Sequence, residues 1–231
     1  MRLDKFLSNA GMGSRKDVTK IIKEKRVTIN EQIETVGKTY VSDDDIIKLD
    51  DRVVSLEKHV YIMLNKPKRV ITATKDDKHQ TVMDLIQHPQ KEMLFPLGRL
   101  DRNTTGLLII TNDGQLGHQL LSPKKKVDKT YVVTLKKAIT DEAIKQLETG
   151  VELSDFTTQP ASVKVLRDDC IELTITEGKF HQVKRMMHAV ENQVEELHRK
   201  SFGRLVLDPN LNFSESRKLT DDEIKLLFSH V

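Results

Sequence analysis

The sequence is short of the residues from which many kinds of site are built. Cys170 is the only cysteine among 231 residues, which excludes an internal disulfide and any zinc site made of cysteine pairs, and fits a reducing compartment. That thiol reads as a small, half-buried strand residue. Tryptophan is absent and aromatic residues make up 4% of the chain, so few rings are available for a stacking platform. Nowhere do about eighteen apolar residues run together, and Met1-Arg2-Leu3-Asp4-Lys5-Phe6-Leu7 holds no apolar stretch of signal-peptide length. The chain is therefore expected to be soluble and cytoplasmic. His118, His181, His188 and His198 lack both cysteine companions and zinc-protease spacing, and no metal site is expected. Nucleotide loops are excluded as well. Gly11-Met12-Gly13 follows a helical pattern and lacks the third glycine of a dinucleotide fingerprint, and Gln32 stands where a phosphate loop ending in Gly37-Lys38-Thr39 needs its first glycine.

What is present is charge, unevenly spread. Lys and Arg total 38 against 35 Asp and Glu, a net +3 that would not by itself announce a polyanion partner. Residues 1–30, however, hold eight basic and three acidic side chains, whereas residues 31–58 hold four and eight. Leu3 to Ala10 reads as a short helix stopped by Gly11, and Ser14-Arg15-Lys16-Asp17 as a capping box opening a second. At about 100° per residue, Val18, Ile21 and Ile22 fall on one face of that helix and Lys16, Lys20 and Lys23 on the other. Strand-like pieces follow at Val27 to Asn30, Thr39 to Val41 and Ile46 to Leu49, with a turn at Asp43-Asp44-Asp45. A small module over residues 1–58 is expected, then a larger one over residues 59–231.

The larger part opens with the apolar strand Tyr61 to Lys66 and a turn at Pro67. Strands are expected at Thr130 to Leu135, Ala161 to Leu166 and Ile171 to Thr176, and helices at Gln115 to Leu121, Asp141 to Leu147 and His181 to Val190. Without a regular βαβ repeat, this mixture implies an α+β fold around a mixed, largely antiparallel sheet flanked by helices. Within it, Gly98-Arg99-Leu100-Asp101-Arg102-Asn103-Thr104-Thr105-Gly106 sets one carboxylate between two arginines just before the apolar run Leu107 to Ile110. Positive charge nearby favours ionised Asp101, which can then serve as nucleophile or base. Taken alone, Asp101 reads rather as a turn cap paired with an arginine.

The other segments decide between these. Arg2-Leu3-Asp4-Lys5-Phe6-Leu7, Gly13-Ser14-Arg15 and Arg26-Val27-Thr28-Ile29-Asn30 resemble the small alpha-L RNA-binding module first known from a ribosomal small-subunit protein. Met63-Leu64-Asn65-Lys66-Pro67, the Asp101 stretch, Asp128-Lys129-Thr130-Tyr131-Val132-Val133, Glu177 to Met186 and Glu196-Leu197-His198-Arg199 closely resemble the signature segments of bacterial pseudouridine synthases of the ribosomal small-subunit type. The resemblance spans nearly the whole chain. It implies an isomerase that detaches a uracil from its ribose, turns it and rejoins it through a ring carbon, with no cofactor. By the same resemblance Asp101 is the catalytic aspartate, attacking the nucleoside or abstracting a sugar proton. Tyr131 is the active-site tyrosine, Lys184 the cation beside the aspartate, and Leu197, Arg99 and Leu100 line the pocket. Arg2, Lys5, Ser14, Arg15, Lys16, Lys20, Lys23 and Arg26 of the small module would contact RNA, as would Arg102, Lys179 and the run Lys124-Lys125-Lys126. The implied partner is ribosomal RNA in a partly assembled small subunit, with no membrane and a monomeric protein. The expected substrate is 16S rRNA; the alternatives are 23S rRNA, and a noncatalytic rRNA-binding assembly factor. One departure is Arg69, which stands where relatives commonly have glycine after the Asn-Lys-Pro turn.

Overall fold

A computed structural model describes residues 1–229 and divides the chain into two units, residues 1–59 with 87–94, and residues 60–86 with 95–229. The first unit carries α1 (Leu3–Asn9), α2 (Arg15–Lys23) and the antiparallel strands β1 (Val27–Ile29), β2 (Gln32–Glu34), β3 (Ile47–Leu49) and β4 (Arg52–Val53), in the order β2-β1-β3-β4. Both hairpins close through two residues of positive φ, Asn30-Glu31 and Asp50-Asp51, the backbone that matches the twist of the flanking strands. Ser14 and Asp17 cap α2 reciprocally, and Val18 and Ile22 on its apolar face join Leu3, Leu7, Val27 and Ile47 in a small core. Residues 39–41 form no strand. Only Tyr40 bridges to Arg2, because the partnering chain turns into α1 at Leu3 and offers nothing further to pair with.

The second unit holds β5 (Tyr61–Lys66), β6 (Phe95–Leu97), β7 (Thr105–Thr111), β8 (Lys129–Leu135), β9 (Ser162–Arg167), β10 (Cys170–Ile175), β11 (Val194–Phe202), β12 (Leu205–Val206) and β13 (Ser216–Lys218), with α3 (Gly114–Leu121), α4 (Asp141–Thr149), α5 (Gln182–Ala189) and α6 (Asp221–Phe228). The strand order is β13-β5-β7-β11-β8-β10-β9, with β6 beside β7 and β12 beside β11. The pairings are antiparallel except β7 with β11. The expected α+β architecture is present. The Asp113 carboxylate caps α3 at Leu116 N–H (2.9 Å) and accepts the Tyr61 hydroxyl (2.7 Å), and burial together with that bond holds the phenol above its ordinary titration range. Sequence patterning missed β6, β11, β12, β13 and α6. Among the described residues no helix is long and apolar enough to cross a membrane.

Candidate active site

Asp101 lies on the turn that joins β6 to β7. The turn leaves β6 through Gly98, whose φ of 75° suits glycine. The buried Leu100 is tied to Thr72 both ways, its N–H donating to the Thr72 hydroxyl oxygen (3.1 Å) and that hydroxyl donating to the Leu100 carbonyl (2.7 Å). Thr104 N–H closes the turn on the Asp101 carbonyl (3.1 Å). Beneath it, the fully buried Lys66 ammonium donates to the carbonyls of Pro67 (3.0 Å), Arg102 (3.2 Å) and Thr104 (2.9 Å). A cation removed from water persists only with such partners. Burial still pushes the Lys66 ammonium down to about 8, against the opposing pull of the Asp101 charge.

The basic side chains beside Asp101 are not the arginines adjacent in sequence. Arg99 and Arg102 are exposed, and Arg102 Nε reaches the Arg69 carbonyl at 3.5 Å. Instead Lys184 Nζ lies 3.3 Å and His181 Nε2 3.6 Å from Asp101 Oδ2. Both come from the start of α5. The helix is anchored by the buried Val183, Met186 and Met187, and Lys184, about 100° further round the axis than Val183, stands clear of that face. Its first turn is ordered by Gln182, which donates to Glu177 (2.8 Å) and accepts from Lys179 N–H (3.0 Å). His181 precedes it in the left-handed region, φ 51°. Arg185 is engaged elsewhere, ion-paired with Asp155 and packed over the Phe156 ring at 5.5 Å.

Tyr131 faces this pair from β8, where it lies between Leu173 of β10 and Arg199 of β11. The parallel approach of β11 to β7 depends on Gly106: at its φ of 102°, a Cβ would sit 2.3 Å from the Arg199 carbonyl oxygen. Arg199 is itself buried, its Nε donating to the Leu107 carbonyl at 2.8 Å. Arg99, Leu100, Asp101, Tyr131, Lys184 and Leu197 line one narrow slot of about 70 Å³, together with His181. These are the six residues named from sequence for catalysis and the pocket. The structure adds Lys66 and Arg199, which sequence reasoning missed, since a lone Lys or Arg in a motif does not reveal that it is buried. The slot offers an oriented carboxylate with a lysine ammonium and an imidazole on one side and a phenol on the other, a set suited to nucleophilic or proton-transfer chemistry on a small planar group.

The residues expected to touch RNA divide into two sorts. Lys16, Lys20 and Lys23 are exposed around a shallow depression on α2 that Thr19 and Glu24 complete, and Lys5 is half-buried. Arg2 is paired with Asp4 (2.5 Å), Arg26 grips Asp50 through two bonds (2.9 and 2.6 Å), Arg15 lies 3.6 Å from Glu92, and Ser14 caps α2. These four have partners within their own unit. In the second unit Arg102 and Lys179 are exposed beside the slot.

Residues 60–189 match the family model described as RNA pseudouridylate synthase, and residues 1–47 match that of the S4 domain. An uncharacterized RNA pseudouridine synthase of Bacillus subtilis (strain 168) is 46% identical, with 98% of each chain covered. The ribosomal small subunit pseudouridine synthase A of Vibrio vulnificus (strain CMCP6) is 41% identical, covering 97% of this chain and 98% of that one. Among solved structures, a crystal structure of a pseudouridylate synthase matches with a TM-score of 0.71 at 38% identity, over 98% of this chain and 99% of the other.

Proposed function

This chain belongs to the RNA pseudouridylate synthase family, and from that premise we propose that it converts one uridine of 16S rRNA to pseudouridine, with Asp101 as the catalytic carboxylate. The carrying observation is that Asp101, Tyr131 and Lys184, from three separate segments, meet in one slot with the Asp101–Lys184 pair at 3.3 Å. Supporting the substrate is the small-subunit name of the Vibrio vulnificus relative. The isomerisation adds and removes no atoms overall, and its demands fall on a few side chains.

A uridine reaches this slot only when turned out of its strand. Asp101 then lies at the sugar, where a carboxylate stabilises positive charge developing at the anomeric carbon as the bond to the ring nitrogen breaks, and is equally placed to bond that carbon or take a sugar proton. Lys184 and His181 orient it. The freed uracil, held between Leu197, Leu100 and Tyr131, rotates to present its carbon. As the new bond forms at the anomeric carbon, any bond to Asp101 breaks; the proton on the ring carbon then passes to the Tyr131 oxygen while the phenol gives up its own, and the freed ring nitrogen takes up a proton, so that none is gained or lost overall. Residues 1–58 act as an RNA-gripping module for the catalytic part, residues 59–231, with Lys16, Lys20 and Lys23 as its phosphate contacts.

The test is pseudouridine mapping on unmodified 16S rRNA, naked and in partly assembled small subunits, after incubation with the protein or its Asp101→Asn variant. One new site made only by the unaltered protein is expected, with the variant slower by about 10³-fold or more while still binding RNA. A new site on 23S rRNA alone would overturn the substrate assignment, and full activity of Asp101→Asn would overturn the role of Asp101.

A further inference from the structure

Past Tyr131 the slot adjoins a larger cavity of about 670 Å³, and the two share Arg99, Tyr131, Gly178 and Lys179. That volume is within the range of about 300–1,000 Å³ that suits small-molecule-sized ligands. Its wall is cationic. Lys129 and Arg199 line it from the adjacent strands β8 and β11, and Lys126 and Lys179 from loops. Glu177 is the one carboxylate in the lining, and its Oε2 already accepts from Gln159 N–H (3.0 Å) and Gln182 Nε2 (2.8 Å).

Lys129 and Arg199 flank a single ring, Nζ and Cζ each 5.5 Å from the Phe202 centroid. Lys129 donates to the carbonyls of Val127 (2.7 Å) and Thr176 (3.1 Å) and Arg199 to that of Leu107 (2.8 Å), while the buried Arg199 Nη2 has no hydrogen-bond partner. Burial, aided by the charge of Arg199, pushes the Lys129 ammonium down to about 8. Lys129 and Arg199 draw on backbone carbonyls, the Tyr131 side chain and the charges of Asp128 and Glu177, yet Arg199 Nη2 is left without a partner, and buried cations of this kind gather where a ligand supplies further negative charge. Beside them Leu121 and Pro123 give the same cavity an apolar side, with Leu121 exposed. An anion attached to a larger, partly apolar body fits this combination, and a free phosphate would leave most of the volume empty.

We propose that this cavity is the subsite for the nucleotide adjoining the target uridine, its phosphodiester held by Lys126, Lys129 and Lys179 in front of Arg199, and its sugar and base resting on Leu121 and Pro123. The assignment rests on the reading of the slot as the uridine site. The shared wall at Tyr131 and Arg99 puts the two spaces next to each other, as neighbouring nucleotides of one strand must be.

Calorimetric titration of the full chain with uridine 5′-monophosphate and with 5′-phosphorylated triuridylate tests it, alongside Lys126→Gln and Lys129→Met. For the parent protein the trimer is expected to bind about tenfold or more tighter than the monomer, an added 1.4 kcal/mol or so. In each variant that ratio falls toward one, and the log–log salt slope of trimer binding drops by about 0.7 for each phosphate no longer neutralised. Lys126 is exposed, so its variant keeps the test open if Lys129→Met fails to fold. A parent ratio near one, a ratio that survives both substitutions, or inorganic phosphate displacing the trimer as well as the monomer does would each overturn the subsite. Assaying pseudouridine formation on rRNA with the same preparation separates the two readings: lost activity with an intact ratio sinks the rRNA assignment alone, and intact activity without the ratio sinks the subsite alone.

Discussion

Asp101 is flanked in sequence by arginines and served in space by Lys184 and His181, 3.3 and 3.6 Å away. Because charge and geometry here come from α5, Lys184→Met should lower kcat by about 10²-fold or more with a smaller change in KM, and Lys184→Arg should recover most of the loss. Single-turnover rates on rRNA decide it, and equal loss in both variants would argue against a purely ionic role. Lys66 poses a different question. Its ammonium titrates at about 8 in the fold and at its ordinary 10.5 when unfolded. Below about pH 8 both states are protonated and the burial cost is fully present. Between the two values the unfolded chain holds the extra proton, so this residue makes stability rise with pH by up to about 1.4 kcal/mol per pH unit. Urea unfolding from about pH 8 to 10 should therefore show a slope flatter by about one proton in Lys66→Met, and an unchanged slope would refute the burial of the charge. Arg69 adopts φ 68°, a left-handed conformation that glycine takes without strain, so the arginine after the Asn-Lys-Pro turn holds a backbone that favours glycine.

Elements were legible to the extent that their cause was local. The capping box at Ser14 and the apolar face of α2 foretold that helix, and the apolar runs foretold β5 and β7. β11 was not foretold, because its sequence VEELHRKSF is charged and two bulges break its alternation. Its place between β7 and β8 rests on Gly106. Gly106→Ala should cost about 3 kcal/mol in urea unfolding, since a methyl group 2.3 Å from the Arg199 carbonyl oxygen must push β11 away from β7. A loss under about 1 kcal/mol would mean the strands separate easily. α6, though missed by the apolar pattern, does carry a local signal in the Thr220 and Glu223 capping box.

At the scale of the molecule, the proposed function gives the two units separate tasks, holding RNA and changing it. With 4% aromatic residues and an exposed lysine face on α2, affinity should rest on phosphate contacts and fall steeply with salt. Replacing Lys16, Lys20 and Lys23 together with glutamine should raise KM for rRNA and reduce the log–log salt slope by about two to three, as measured by filter binding over a salt series. A slope equal to the parent's would remove α2 from the RNA path.

The sequence by itself determined the α+β class and the family, and it named six residues that the structure brings to one slot, because motif identity and hydrophobic period are properties of the chain read locally. Only the tertiary structure decided which basic side chains serve Asp101, that Lys66 and Arg199 are buried, that Arg2 and Arg26 answer internal carboxylates, and that a second cavity adjoins the slot. Burial and charge pairing are set by residues far apart in the chain, and they exist only once β5, β7, β8, β11 and α5 have come together.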